Sequence, residues 1–168
     1  LISQSEALVF FTGAGISTNS GIPDFRGPKG IWKTSQPIYF QDFVNSEEKR
    51  IESWERKFSN ELNIHKAKPN QGHQKIAEIM KKKDLSHLIT QNVDNLHQES
   101  GIDDSQITEL HGNATYAKCL DCQKRYDLAE LKESFQRTKQ PPQCSECNGL
   151  IKTATISFGQ PMPEKEMQ

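Results

Sequence analysis

Two Cys-x-x-Cys pairs, Cys119/Cys122 and Cys144/Cys147, stand 21 residues apart and hold every cysteine of the chain. That spacing is close to zinc ribbons, in which each pair forms a tight knuckle and four thiolates close a tetrahedron around one ion. No cysteine is left for a disulfide framework, and in a reducing compartment such pairs signal zinc rather than cystine. Four sulfurs complete a structural shell and leave no open position for water. His111, eight residues before Cys119, is therefore not needed as a ligand and is free for other chemistry. His65, His73, His87 and His97 are read as ordinary, satisfied histidines.

The rest of the 168-residue chain has to fold around that metal staple. Hydrophobic residues make up 33% of it and the mean hydropathy is -0.76, a thin supply of core for which a metal compensates. A formal charge of -1 excludes nucleic acid or an anionic membrane as a partner recruited by long-range electrostatics. No run is apolar enough to span a bilayer, and the opening LISQSEALVFF lacks the basic start and cleavage site of a secretory signal. A cytoplasmic setting is expected.

Apolar runs and helical spacings alternate along the chain. Ala7–Phe11 (ALVFF) reads as a buried parallel strand entering a glycine turn at Thr12-Gly13, with a helix following. Between Ser20 and Pro37, five glycines and prolines make a long surface loop. Ile51, Trp54, Phe58 and Leu62 recur at helical spacing behind a start signal at Asn45 and Glu48, and a second helix follows Pro69-Asn70 with Ile76, Ile79 and Met80 inward. Leu88–Thr90 and Ile107–Leu110 are expected strands flanking a short helix near Asp94–Gln98. Residues 115–150 read as an inserted module with a helix behind Asp127 and Glu130, after which Lys152–Phe158 returns to strand composition. The fold class expected is α/β, a Rossmann-like parallel sheet (residues 1–36, 86–114 and 151–168, incomplete at its C-terminal side) with a helical module (37–85) and a zinc ribbon (115–150) inserted.

TGAGIS, residues 12–17, lies where the first strand ends. Glycine there lets a backbone approach a pyrophosphate. The fingerprint is partial, since Thr18 occupies the third glycine position and no ribose-binding acid follows about twenty residues on. A ligand-free strand corner explains two glycines equally well.

Taken together, GAGIS (13–17), GIPDFRGPKGIW (21–32), TQNVDNLH (90–97), ELHG (109–112), both cysteine pairs and ISFG (156–159) resemble, in order, the sirtuins, NAD-dependent protein-lysine deacylases. The resemblance covers nearly the whole chain and is closest to bacterial-type members. It implies that Gly13, Ala14 and Gly15 meet the NAD pyrophosphate and that Asp24, Phe25 and Arg26 belong to a mobile cofactor loop closing over it. It places Gln91, Asn92 and Asp94 around the nicotinamide and its ribose, and makes His111, with Asn92, catalytic. His111 would be the general base that assists deprotonation of a ribose hydroxyl after nicotinamide has left; lysine and O-acyl-ADP-ribose are the products. Cys119, Cys122, Cys144 and Cys147 would hold a zinc ion that takes no part in the chemistry, and ISFG would be the edge along which an acylated-lysine protein substrate is laid.

Departures from the family pattern are Val93 for isoleucine, Gln160 for an acid, and the absence before Gln168 of the family's later strands. The chain is thus expected to be a fragment with little activity alone and an exposed apolar sheet surface. The Tyr-x-x-Arg pair of desuccinylating relatives is absent, which favours acetyl as the acyl group. Alternatives are a non-catalytic zinc-ribbon interaction module on a degenerate nucleotide fold, and mono-ADP-ribosyl transfer on the same scaffold. A nicotinamide dehydrogenase fits worst, for want of a hydride-transfer site.

Overall fold

The computed structural model describes residues 4–24, 27, 30, 33, 36–59 and 64–162. Three parallel strands, β1 (Ala7–Thr12), β2 (Leu85–Thr90) and β3 (Ile107–Glu109), form a sheet in the order β1-β2-β3. Their register aligns Thr12 with Thr90 and Thr90 with Glu109, so all three strands stop along one edge. That edge, at the carboxyl ends, is where open α/β sheets bind ligands. The α/β class read from the sequence is the class observed.

One face of the sheet is packed. Helix α3 (Gln71–Met80) lays Ala77 and Met80 on Leu88 and Ile102, with Phe10, Ile76 and Ile107 completing the cluster. On the other face Val9, Phe11 and Leu85 are 68%, 62% and 67% exposed, and no described residue covers them. The sequence's buried strand at ALVFF is therefore buried on one side only; its burial alternates along the chain with the two-residue period of a pleated strand. The exposed apolar sheet surface expected from the sequence is present.

A second, antiparallel sheet joins β5 (Arg125–Asp127), β4 (Gly112–Cys119) and β6 (Ile151–Thr155) in the order β5-β4-β6. Here the sequence reading needs correction. The segment after the ribbon was assigned to the parallel sheet, yet Ile151–Thr155 pairs with β4. The cause is local: Cys119 lies opposite Ile151, and the N–H groups of Leu120 and Cys144 donate to the carbonyls of Leu150 and Gly149 at 2.9 Å each. The second cysteine knuckle thus turns the chain straight back along the first, as two adjacent antiparallel strands require.

The helices are set by caps. Helix α2 (Glu47–Phe58) starts at Ser46, whose hydroxyl accepts from Lys49 N at 3.2 Å, one residue after the expected cap; Asn45 instead ends a preceding short helix, α1 (Phe40–Asn45). Leu62, placed on the same helix by its spacing, lies outside the described residues. Helix α4 (Leu128–Thr138) is capped by Asp127, which accepts from Ala129 N at 2.6 Å. Packing distributes residues 37–85 between two cores. Whereas α3 joins the parallel sheet, α2 drives Trp54 into a cluster with Ala117, Cys119, Leu131, Phe135, Cys144 and Ile151. No described helix is long and apolar enough to cross a membrane.

Trp54, 1% exposed and stacked on Phe58 at 5.3 Å, is the largest side chain in that core. Trp54→Ala should lower stability by about 3–5 kcal/mol, read as a reduced urea midpoint at unchanged slope; a shift under about 1 kcal/mol would contradict the packing described.

Candidate active site and metal centre

The carboxyl ends of β1 and β2 run into two turns that share one buried polar network. Gly13 leads from β1 into the helix expected there, which is a 3-10 helix (Ala14–Ser20), with Ile16 N donating to Gly13 O at 3.1 Å. Ser17 in this helix is 1% exposed and donates its hydroxyl to Asp94 Oδ2 at 2.6 Å. Asn92 Nδ2 donates to the same Ser17 oxygen at 3.1 Å, and Leu96 N donates to the other Asp94 oxygen at 3.0 Å. Asn92 and Asp94 are 7% and 5% exposed, so two residues singled out from the sequence come together in buried positions. Gln91, the third, is exposed.

Two histidines set aside as ordinary close the network from behind. His73 Nδ1 accepts from Asn70 N at 3.2 Å as part of the cap of α3; its proton therefore sits on Nε2, facing Ser17 Oγ at 3.5 Å. Thr12 donates to Thr90 Oγ1 at 2.9 Å, so His97 Nε2, also 2.9 Å from Thr12 Oγ1, must be the donor. That leaves His97 Nδ1 buried with no partner among the described residues. The rings lie 4.9 Å apart. Burial holds both below the ordinary imidazole range, His97 down to about 4 with the neighbouring His73 adding to the effect. Ser17, His73 and His97 were not among the residues picked from the sequence. Their signal was only that Ser17 sits inside GAGIS and His97 inside TQNVDNLH.

His111 stands at the apex of the turn between β3 and β4. Its Nδ1 lies 2.9 Å from the carbonyl of Gln91. A carbonyl can only accept, so Nδ1 carries the proton and Nε2 is left with a lone pair able to take another. The backbone is held as firmly: Leu110 N donates to Thr90 O at 2.9 Å and Ile156 N to His111 O at 2.8 Å. Gly112 follows with φ of 70°, and a Cβ there would come within 2.0 Å of Ala154 O. Only glycine lets β6 run this close behind the imidazole. The buried Lys152 ammonium, 2.5 Å from Thr155 O, fixes the end of β6 from which Ile156 departs, and burial lowers its pKa to about 8.

The glycines of the first turn stand in open space. A Cβ at Gly13 or Gly15 would meet no atom of the described residues within 4 Å, so none of them demands glycine there. Ala14 is half-buried between them. Asp24 folds back to accept from Gly27 N at 2.8 Å; Phe25 and Arg26 lie outside the described residues.

The four cysteine sulfurs lie within 4.8 Å of one another, Cys119–Cys147 and Cys122–Cys144 both at 3.5 Å. A tetrahedron with Zn–S bonds of about 2.3 Å has sulfurs about 3.8 Å apart; disulfide sulfurs are bonded at about 2.05 Å. The set therefore fits zinc. Tyr126 donates its hydroxyl to Cys144 Sγ at 3.0 Å, which draws that thiol down to about 6. His111 is not among the clustered ligands.

Sequence comparison now decides the lineage, for the model of the Sir2 family matches residues 13–168. The chain belongs to the Sir2 family. Among its curated Sir2 relatives, the NAD-dependent protein deacetylase of Rhodopseudomonas palustris is 48% identical over 168 residues, covering 100% of this chain and 66% of the relative. The NAD-dependent protein deacetylase 1 of Bradyrhizobium diazoefficiens is 49% identical with the same coverage. A solved Sir2 structure with deacetylated p53 peptide and 3'-O-acetyl ADP-ribose superimposes with a TM-score of 0.84 at 33% identity, over 99% of this chain and 66% of that one. A Sir2 protein bound to a propionylated peptide gives 0.80 at 34% identity, over 99% of this chain and 65% of that one. The chain thus spans just under two thirds of the length of the curated Sir2 relatives it matches.

Two measurements test the site. Because the folded protein keeps His73 and His97 neutral while an unfolded imidazole takes its proton near 6.5, the unfolded chain binds more protons between about pH 6.5 and 4. Stability should be flat above that window and fall as pH drops through it. The urea midpoint at pH 5 should lie below that at pH 7.5, with a shallower decline in His97→Gln; equal midpoints would contradict neutral burial. Separately, chelation should remove one zinc per chain and destroy the cooperative melt, since the ribbon cysteines Cys119 and Cys144 are also core residues.

Proposed function

We propose that this chain carries the machinery for NAD-dependent removal of acyl groups, acetyl foremost, from protein lysines. The reading is carried by His111: its Nδ1 is occupied by the Gln91 carbonyl, leaving Nε2 as a free base beside the turn that holds Asn92 and Asp94. Relatives named as NAD-dependent protein deacetylases, and Sir2 structures holding acetylated and propionylated peptides, support it.

In this reading NAD is the co-substrate and supplies an electrophilic ribose carbon on loss of nicotinamide. Gly13, Ala14 and Gly15 leave backbone open to its pyrophosphate, with Asp24, Phe25 and Arg26 in the loop beside it. The Asn92 amide and Asp94 carboxylate, locked by Ser17, wall the nicotinamide and ribose site and exclude water from it. Asn92 is the residue there that can offer both a donor and an acceptor to a carboxamide. The acyl oxygen of the lysine bonds to the electrophilic ribose carbon as nicotinamide departs. His111 Nε2 accepts the proton of a ribose hydroxyl that attacks the resulting imidate carbon, and water completes the release of lysine and O-acyl-ADP-ribose. Residues Ile156–Gly159, led past His111 by β6, offer a backbone edge to an acyl-lysine peptide. Cys119, Cys122, Cys144 and Cys147 hold a structural zinc, and thiols paired for metal rather than cystine favour a cytoplasmic setting.

In the full-length protein carrying these residues, His111→Ala should lower the deacetylation rate by roughly a hundred- to ten-thousand-fold while zinc stays at one ion per chain. Deacetylation that persists in the variant would show that another group is the base.

A further inference from the structure

The turns at 91–95 and 109–113 each carry part of the proposed machinery, and one buried side chain touches both. We infer that Asn113, with Glu109 as its acceptor, is a positioning residue that sets the His111 base against the turn bearing Asn92 and Asp94; the inference rests on the deacylation reading above. Asn113 is 2% exposed. One of its Nδ2 hydrogens goes to Glu109 Oε1 at 2.8 Å, closing the base of the turn with His111 at its apex. The other goes to Asn95 Oδ1 at 3.0 Å, on the opposite turn. Its Oδ1 accepts from Thr115 N at 2.8 Å and from Thr115 Oγ1 at 2.6 Å. All four hydrogen-bonding sites of the amide are used, so the side chain cannot rotate without breaking the set.

The surroundings are arranged for this contact. Between Gly112, which faces Thr155, and Ala117, which faces Thr153, β4 advances five residues while β6 retreats two, so the register of the pair is broken. The irregularity releases Asn113 from β6 and lets it turn toward residues 91–95, a common use of a bulge beside a site. Asn95 adopts a left-handed φ of 66°, uncommon for a residue other than glycine, and it is held there in part by the amide of Asn113. Glu109 accepts a second amide hydrogen from Gln98 Nε2 at 2.8 Å, so its carboxylate is fixed before Asn113 reaches it. Backbone bonds flank the contact, Leu110 N to Thr90 O at 2.9 Å and Ala114 N to Val93 O at 2.8 Å. Among the described residues, the His111 side chain has one hydrogen bond, to Gln91 O on the facing turn. The distance between base and pocket therefore depends on how the two turns are registered, and a misplacement of about 1 Å costs on the order of a hundredfold in rate.

The order of steps supplies the test. Nicotinamide leaves before the base acts, so exchange of labelled nicotinamide into NAD in the presence of acetylated peptide reports the 91–95 turn, whereas product formation reports both turns. In the full-length protein, Asn113→Ala and Glu109→Ala should each lower the kcat of deacetylation by about tenfold or more, with KM for NAD and peptide and the exchange rate changed by less than about threefold. Glu109→Gln keeps the acceptor oxygen and should restore most of the loss. The imidazole 15N shifts of His111 should show the Nδ1-protonated ring in the parent protein and a tautomer mixture in Asn113→Ala. Unchanged kcat in both alanine variants overturns the inference. So does a parallel fall of exchange and deacetylation, or loss of zinc and of the cooperative melt, since each would make Asn113 a residue of the fold rather than of His111. A parent protein that catalyses neither exchange nor deacetylation would sink the proposed function as well, an outcome distinct from the others.

Discussion

A carboxylate is expensive to bury, and Asp94 is buried. It is kept by donors: the Ser17 hydroxyl on one oxygen and the Leu96 amide on the other. Ser17 can hold that orientation because Asn92 and His73 both point protons at its oxygen. His73 in turn has its tautomer fixed by capping α3. The arrangement runs outward from a single acid through the glycine turn, a helix cap and the end of a strand, so the elements that build the fold are the ones that hold the pocket. Charge-assisted bonds of this kind are stronger than neutral ones, and they stiffen whatever supplies them.

The sulfur site is organised differently but reaches the same place. Cys119 and Cys144 lie in the core that receives Trp54, so metal binding and packing of α2 are one event. The strands that leave this core, β4 and β6, end at Gly112 and Thr155, directly behind the imidazole. A zinc ion held by the four sulfurs would thus help to set where His111 stands without touching it.

Much of this was readable from residue order. Cysteine spacing identifies the ribbon because a knuckle is a local structure whose ligands must lie close in sequence. The cap at Asp127 is legible for the same reason; the one at Ser46 was misplaced by a single residue, within the usual uncertainty of helix ends. His111 became legible as a non-ligand through simple valence, four sulfurs having filled the shell. What stayed hidden were roles created by distant partners. Ser17 meets residues 56, 75 and 77 positions away, and no local pattern marks such a meeting. His73 and His97 looked ordinary because their partners, Ser17 and Thr12, lie 56 and 85 positions away in the chain. Strand composition at Ile151–Thr155 announced a strand without naming its partner, and the parallel sheet was the wrong guess.

The shared ribbon of β4 and β6 also divides the chain into tolerant and intolerant lengths. Between the two knuckles, β5 and the helix Leu128–Thr138 are tied into the core, so residues can be gained or lost while both strands keep their register only in the exposed turn at Lys139 and Gln140. Along Gly112–Cys119 a single inserted residue would flip every later side chain to the opposite face and carry the histidine's backbone away from Ile156. Lineages that diverge from this protein are thus free to ornament that exposed turn, whereas the stem must keep count.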